Sequence, residues 1–181
     1  LLAPEGVSDM ALQRMAEVLT PIAQQAGAAM LIANDTRAAG RSKADGVHVT
    51  GGVEALRDAI SAFHPQKIVG AGNVMTRHDA MEMADAGADY VFFGLLDRPE
   101  GPDTHPKSLE FADWWVPLFE PPCIVMAGAD IESVRPVAEL AADFVALRDA
   151  IWADPRGPRL AVEAVESLIA EIRLSGRQET P

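Results

Sequence analysis

The sequence has few of the features that mark secreted, membrane or nucleic-acid-binding proteins. It has one cysteine, Cys123, in 181 residues, so no disulfide can form within the chain. Its 27 acidic residues outnumber 15 basic ones and give a formal charge of −12, which repels phosphate backbones and anionic lipid. No apolar run approaches the roughly 20 residues that span a bilayer, and no secretory signal pattern is present. We therefore expect a cytoplasmic protein with no nucleic-acid or membrane partner.

The residues that are present favour a folded α/β domain. Hydrophobic residues make up 49% of the chain and charged residues 23%, which is enough apolar material for a substantial core. Short apolar runs alternate with longer segments at helical spacing, a pattern typical of parallel strands joined by helices. The predicted strands are residues 28–33, 46–49, 67–70, 89–94, 122–127 and 143–147. The predicted helices are residues 8–26, 53–63, 76–86, 107–118, 130–141 and 158–174, with N-caps at Ser8, Thr76 and Asp130.

A short repeat, Ala-Asp-x-Val, begins at Ala44, Ala88 and Ala142, where a predicted helix passes into a strand. We expect its aspartate to cap a turn. At roughly 20–25 residues per strand-helix unit, the chain would hold seven to eight units, and eight units close a (β/α)8 barrel. We therefore expect residues 1–181 to form a single TIM-type (β/α)8 domain, with its first strand-helix unit missing from the chain. The alternative is a doubly wound sheet, which usually carries a glycine-rich first turn, and no G-x-G-x-x-G occurs here.

Several motifs follow one another along the chain: Ala33-Asn34-Asp35, then Ala44-Asp45-Gly46-Val47-His48, then residues 68–72, 87–94, 124–128 and 144–147. Their order and spacing resemble the thiamine-phosphate synthase family and its relative, the thiazole tautomerase. The resemblance implies a phosphate-binding (β/α)8 barrel. It also implies a transferase of thiamine biosynthesis, which joins hydroxymethylpyrimidine diphosphate to thiazole phosphate and releases diphosphate together with Mg²⁺.

Candidate site residues lie at the expected carboxyl ends of the strands. Asp35 resembles the family's magnesium ligand, and Glu54 is the second candidate carboxylate. Asp35 and Lys107 would act on the leaving diphosphate. The candidate substrate contacts are Asn34, Arg37, Gly72, Asn73, Thr104, Gly128, Arg148 and Asp149.

Two of these candidates, Asp35 and Arg148, also have a structural interpretation, and so does His48. An aspartate after a strand, such as Asp35, commonly caps the next helix. Arg148 follows the last strand, where barrels often bind phosphate, but it could equally pair with Asp149 or Asp154. His48 lies within a strand, and we expect it to be a satisfied core residue rather than an acid or base.

Two other functions stay open because the family's basic strand has no counterpart in residues 1–5 and its lysine loop is replaced by residues 97–107. One is a non-catalytic barrel that binds a phosphorylated ligand. The other is a thiazole tautomerase, which needs a proton shuttle but no metal.

Two further features lead to expectations about mobility and packing. The segment 97–107 is rich in proline and lacks an apolar anchor, so we expect it to be mobile without ligand. Trp114 and Trp115 point about 100° apart on a helix. One of them should therefore meet a loop or a partner subunit, which leaves a homo-oligomer open.

Overall fold

The structure is a computed structural model that describes residues 1–4 and 6–178, with side chains through Ser175. Glu5, which belongs to the segment compared with the family's basic strand, and residues 179–181 of the expected single domain lie outside the described residues. The chain forms two compact units, Leu1–Val91 and Phe92–Pro181. We describe each unit by itself, and the expectation of a single domain stays a prediction.

Unit 1 alternates helices with parallel strands. β1 pairs with β2, β2 with β3, and β3 with β4 through Tyr90 and Val91, all in parallel. Leu2 adds a single parallel bridge to Ile32. The strands are β1 (Leu31–Ala33), β2 (Gly46–Val49), β3 (Ile68–Ala71) and β4 (Tyr90–Phe93), whose last two residues lie in unit 2; the helices are α1 (Asp9–Gln25), α2 (Thr36–Ser42), α3 (Gly52–Phe63) and α4 (Arg77–Asp85).

Unit 2 continues the alternation with a parallel pair, β5 and β6. Its strands are β5 (Cys123–Met126) and β6 (Phe144–Ala146); its helices are α5 (Pro106–Trp115), α6 (Val134–Glu139), which follows a 3₁₀ turn at Ile131–Ser133, α7 (Asp149–Trp152) and α8 (Pro158–Gln178). Within the described part of the chain, no helix combines the length and apolar character needed to cross a membrane.

The predicted α/β class is confirmed, and all six predicted strands are present with ends that differ by up to three residues. Ser8 and Thr76 cap α1 and α4 as expected, and Asp130 caps the 3₁₀ turn. The expected eight strand-helix units are not confirmed, because the described residues form six strands. The expected count assumed that the whole chain is divided into units of similar length. Instead, many residues lie in the long connection from Phe93 to Cys123 and in the 21-residue helix α8.

The aspartates of the Ala-Asp-x-Val repeat join neighbouring strands, so the expectation that they cap turns is wrong. Each stands just before an even-numbered strand and accepts a hydrogen bond from a backbone N–H at the start of the strand before it. The three bonds are Met30 N–H to Asp45 Oδ2 (2.7 Å), Val69 N–H to Asp89 Oδ2 (2.7 Å) and Cys123 N–H to Asp143 Oδ2 (2.9 Å). The repeat therefore marks pairs of strands, and we refer to these contacts as the aspartate latches.

An aromatic cluster forms much of the core of unit 2. The ring of Phe93 lies 5.5 Å from that of Phe111 and 5.8 Å from that of the fully buried Trp115. Trp114 is half-buried and lies edge-on to Phe119, at 4.8 Å, in the segment after α5. The second tryptophan therefore meets a loop, and the expectation of a homo-oligomer stays a prediction.

Candidate active site

Three polar residues at the carboxyl ends of β1, β2 and β3 form a connected rim in unit 1. The Asn34 amide donates to Thr50 Oγ1 at 2.8 Å and accepts the Thr50 backbone N–H at 2.8 Å. Asn73 Nδ2 donates to the Thr50 carbonyl at 3.3 Å. Asn34 and Asn73 adopt left-handed backbone conformations, with φ of 55° and 59°, which asparagine tolerates better than most residues. We call Asn34, Thr50 and Asn73 the strand-end rim.

Asp35 follows Asn34 and caps helix α2. Its Oδ1 accepts the Ala38 backbone N–H at 2.8 Å, which confirms that Asp35 is a helix cap. The cap uses one of its two carboxylate oxygens. Oδ2 accepts no hydrogen bond from the residues that the structure describes, and the side chain is half-buried. A carboxylate held by one oxygen can still present the other to a cation, so the ligand role stays a prediction.

The other charged candidates of unit 1 lie in solvent. The Glu54 side chain is 84% exposed and pairs with Arg57 at 2.6 Å, one turn along α3. Arg37 is exposed in the first turn of α2. The described residues contain no group of three or more His, Cys, Asp or Glu side chains that could hold a metal ion.

A buried histidine–tyrosine pair lies beneath the rim. His48 Nδ1 is 2.9 Å from the Tyr90 hydroxyl, and the two rings stack with centroids 5.8 Å apart. A Cβ atom at Gly70 would collide with the Tyr90 ring, and one at Gly72 would collide with His48 Nε2. Burial lowers the pKa of His48 to about 4, so its imidazole is neutral at neutral pH. The structure thus confirms that His48 is a core residue with a partner, and it gives Gly72 a packing role.

A cavity of about 280 Å³ lies beside the rim in unit 1. Its floor is apolar, and its polar groups come from the ends of β1 and β2 and the start of α2 and α3. The lining residues are Asn34, Thr36, Val47, Val49, Thr50, Gly51, Ala55 and Ala59. An apolar pocket edged by a few fixed polar groups is typical of small-molecule sites.

In unit 2, the segment 97–104 lies against the carboxyl end of β5. Ala129 N–H donates to the Gly101 carbonyl at 2.8 Å and Asp130 N–H to the Pro102 carbonyl at 3.0 Å. Gly128 has no room for a side chain because a Cβ atom would meet the Pro102 carbonyl. Its N–H donates to Ser133 Oγ at 2.9 Å, so this amide already has a partner inside the protein.

The two candidates near helix α5 differ in exposure. Thr104 is buried and donates its hydroxyl to the Ser133 carbonyl at 2.7 Å. Lys107 is exposed in the first turn of α5, and its ammonium lies 5.3 Å from the centroid of the Phe111 ring. A cation over an aromatic face is stabilised by the ring quadrupole. Lys107 is therefore a positive charge at the surface, whereas Thr104 anchors the segment before it.

Arg148 holds the same loop from the carboxyl end of β6. Its guanidinium donates to the Leu96 carbonyl at 2.9 Å and the Arg98 carbonyl at 2.8 Å, and Nε lies 2.9 Å from Glu100 Oε1. Asp149 N–H donates to the other oxygen of Glu100, at 3.1 Å.

These contacts bear on two of the expectations from the sequence. Arg148 was expected to pair with Asp149 or Asp154. Asp149 Oδ1 lies 3.4 Å from Arg148 Nε, which confirms the first pair, whereas Asp154 pairs with Arg156. The segment 97–107 lacks an apolar anchor but has several polar ones, and its expected mobility without ligand stays a prediction.

Comparison with known proteins shows which family this chain resembles. The sequence model of the thiamine monophosphate synthase family matches residues 3–151. The chain belongs to this family. Among its relatives, the thiamine-phosphate synthase of Hyphomonas neptunium is 32% identical, over 95% of this chain and 79% of that protein. The thiamine-phosphate synthase of Rhodospirillum centenum is 35% identical, over 85% of this chain and 75% of that protein.

A solved structure of another protein is similar in fold to this thiamine monophosphate synthase family member. Thiamine phosphate pyrophosphorylase from Pyrococcus furiosus matches with a TM-score of 0.75 and 20% identity, covering 93% of this chain and 81% of that one. The sequence matches confirm the family that the strand-end motifs resemble, and the solved structure supports the fold. The roles assigned to individual site residues stay predictions.

Proposed function

We propose that this chain is a transferase that makes thiamine phosphate and diphosphate from hydroxymethylpyrimidine diphosphate and thiazole phosphate. The observation that carries the proposal is the family match over residues 3–151, together with relatives at 32–35% identity that are named thiamine-phosphate synthase. In the proposed reaction, the bond between the pyrimidine methylene carbon and the diphosphate oxygen breaks, and its electron pair leaves with the diphosphate. The thiazole nitrogen then donates its lone pair to that carbon.

Such a reaction asks the protein to stabilise charge on a leaving diphosphate and to align two rings. Unit 1 offers groups of both kinds. Asp35 and Arg37 flank the start of α2, and the exposed amides of Asn34 and Asn73 are held in place by Thr50. We assign stabilisation of the leaving diphosphate to Arg37 and, through Mg²⁺, to Asp35. We assign alignment of the substrate to the side-chain amides of the rim. Gly72 contributes by making room for His48 below the rim.

The residues of unit 1 fit Mg²⁺ that is held mainly by a substrate. In proteins Mg²⁺ usually takes one or two carboxylates together with phosphate oxygens and water, and Asp35 Oδ2 supplies one such oxygen. Glu54 fits this role less well, because its exposed carboxylate already pairs with Arg57. When bound, Mg²⁺ would offset negative charge on the leaving diphosphate.

In unit 2 the proposed roles rest on the sequence resemblance alone. Lys107 is the proposed cation for the leaving group, and its exposed ammonium is compatible with that role. Thr104, Gly128 and Asp149 are the proposed contacts of substrate phosphate. Their hydroxyl or backbone N–H groups now donate to Ser133 or Glu100, so phosphate binding there would require those partners to be exchanged.

The same contacts support a second candidate, a non-catalytic barrel that binds a phosphorylated ligand. In unit 2 the Gly128 amide and the Arg148 guanidinium, two groups expected to hold phosphate, are engaged within the protein. A binding protein that has lost catalysis would retain the fold and would hold its ligand through other groups, such as the exposed rim amides of unit 1. The transferase assignment is favoured because the curated relatives are named as synthases over most of this chain.

The test of the proposal is Asp35→Asn, assayed for thiamine phosphate formation and for diphosphate binding by calorimetry with and without Mg²⁺. Asparagine caps helices about as well as aspartate, so stability should change by no more than about 0.5 kcal/mol. Activity should fall on the order of 10²–10³-fold, by analogy with the loss of one electrostatic contact to a developing charge.

Glu54→Gln is the matched control, since it removes an exposed carboxylate from the same unit. It should leave activity within about twofold if Asp35 is the carboxylate that matters. Equal turnover by wild type and Asp35→Asn would keep the enzyme and remove Asp35 from its mechanism. A folded wild type that binds phosphate ligands but makes no product would favour the non-catalytic barrel.

A further inference from the structure

We infer that Arg148 is a positioning residue: with Glu100 it forms a clasp that fixes the loop 94–105 and thereby sets the start of helix α5, where Lys107 lies. We call Arg148 and Glu100 the clasp. The inference that the clasp fixes the loop rests on contacts within unit 2. Only its effect on turnover rests on the proposed function.

The geometry of the clasp uses the whole planar fork of the guanidinium. Two of its nitrogen atoms donate to the carbonyls of Leu96 and Arg98, and the third, Nε, faces Glu100 at 2.9 Å. The Arg148 side chain is 33% exposed and that of Glu100 is 4% exposed. Burying a carboxylate is unfavourable unless a cation or hydrogen-bond donors accompany it. Arg148 supplies the cation and the Asp149 N–H the donor, so loss of Arg148 would leave Glu100 buried without its cation and release the part of the loop that Arg148 holds.

Between the clasp and α5, the loop is held by further hydrogen bonds. After Glu100, the carbonyls of Gly101 and Pro102 accept bonds from Ala129 and Asp130, and Thr104 donates to the Ser133 carbonyl. These bonds lead directly to the start of α5.

At that start, the His105 side chain accepts the Lys107 N–H at 3.2 Å and caps the helix. Loss of the clasp would free the first part of this path, and the position of Lys107 would become less defined.

A direct phosphate contact by Arg148 predicts different behaviour. Lysine keeps the positive charge but lacks the rigid fork that reaches several acceptors at once. Arg148→Lys should therefore retain much of the attraction for a phosphate, yet lose the bonds to the Leu96 and Arg98 carbonyls. The clasp and the ligand role can thus be separated with one conservative substitution.

The experiment compares wild type, Arg148→Lys and Glu100→Gln by hydrogen exchange, steady-state kinetics and binding of inorganic phosphate. Arg135→Lys is the matched control, because Arg135 pairs with Glu132 at the surface of the same unit. In Arg148→Lys we expect hydrogen exchange of the Ala129 and Asp130 amides to accelerate about tenfold or more. These amides donate to carbonyls of the loop, so they exchange only when the loop opens. We expect kcat to fall by about tenfold while phosphate affinity stays within about twofold.

Glu100→Gln keeps the shape of the side chain and should give a smaller change in the same direction, which keeps the test valid if Arg148→Lys folds poorly. Unchanged exchange in both variants would overturn the clasp. So would a tenfold loss of phosphate affinity with unchanged exchange, because it would make Arg148 a ligand. Accelerated exchange in a protein whose wild type makes no thiamine phosphate would support the clasp and contradict the proposed function.

Discussion

Replacing Asp143 with alanine should destabilise the protein measurably, because it opens one of the aspartate latches. Asp143 Oδ2 accepts the N–H of Cys123, a residue with no exposed surface, at 2.9 Å. Alanine would leave that N–H without its acceptor at a buried position, which typically costs about 1–3 kcal/mol. In a protein of this size 1 kcal/mol corresponds to roughly 2–4 °C in Tm. A loss of about 2 kcal/mol should therefore lower Tm by roughly 4–8 °C.

The assay is urea denaturation followed by circular dichroism, supported by thermal melting. Asp143→Asn should recover most of the loss, since its amide oxygen can accept the same bond without the charge. Asp58→Ala is the matched control, because Asp58 is exposed on α3 and makes no hydrogen bond with the described residues; its effect should stay within about 0.5 kcal/mol. Equal stability of Asp143→Ala and Asp58→Ala would refute the role of the latch.

Two further predictions concern the pair beneath the rim. Burial lowers the pKa of His48 to about 4, below its ordinary 6.5, so the unfolded chain binds this proton first as the pH falls. The free energy of unfolding should drop between pH 6.5 and 4 by up to about 3 kcal/mol more in wild type than in His48→Gln, measured by urea titration at each pH. Gly72→Ala should cost about 1–3 kcal/mol, because the new Cβ would collide with His48. Gly40→Ala, where nothing lies within 4 Å of the new Cβ, should be neutral or slightly stabilising, and equal effects at both glycines would rule out the collision.

The strands were predictable from the sequence because their signal is local. Each is a short run of apolar and β-branched residues bounded by turn residues, as in Gly46–Val49, which matches its prediction at both ends. The helices α2 and α7 were not predicted, since they have 7 and 4 residues and are too short to show a helical period. Asp35 was the one indication of α2, through its preference for the N-cap.

The contacts at the candidate site depend on residues that are distant in sequence. Arg148 bonds to carbonyls 50 and 52 positions earlier, and no spacing in the chain indicates that choice. Likewise, the position of Gly72 after a strand predicts that a ligand approaches the backbone there, whereas the structure shows that the His48 ring fills this space. The glycines at 70 and 72 facing a strand histidine were the signal that could have revealed this pair.

The repeat Ala-Asp-x-Val shows the same division between local and distant information. Its positions at the starts of β2, β4 and β6 were visible, but its partners were not. The bonds join Asp45, Asp89 and Asp143 to backbone groups 15, 20 and 20 residues away in the strand before. Local residue types therefore predict where strands begin, and only the paired sheet shows what the aspartates hold.

The most direct test of the central claim is a product assay on the wild-type protein. The purified chain is incubated with hydroxymethylpyrimidine diphosphate, thiazole phosphate and Mg²⁺, and thiamine phosphate and diphosphate are measured together over time. The transferase account predicts that both products appear in equal amounts and that omission of either substrate abolishes both. Release of diphosphate without thiamine phosphate, or no product from a protein shown to be folded, would contradict it.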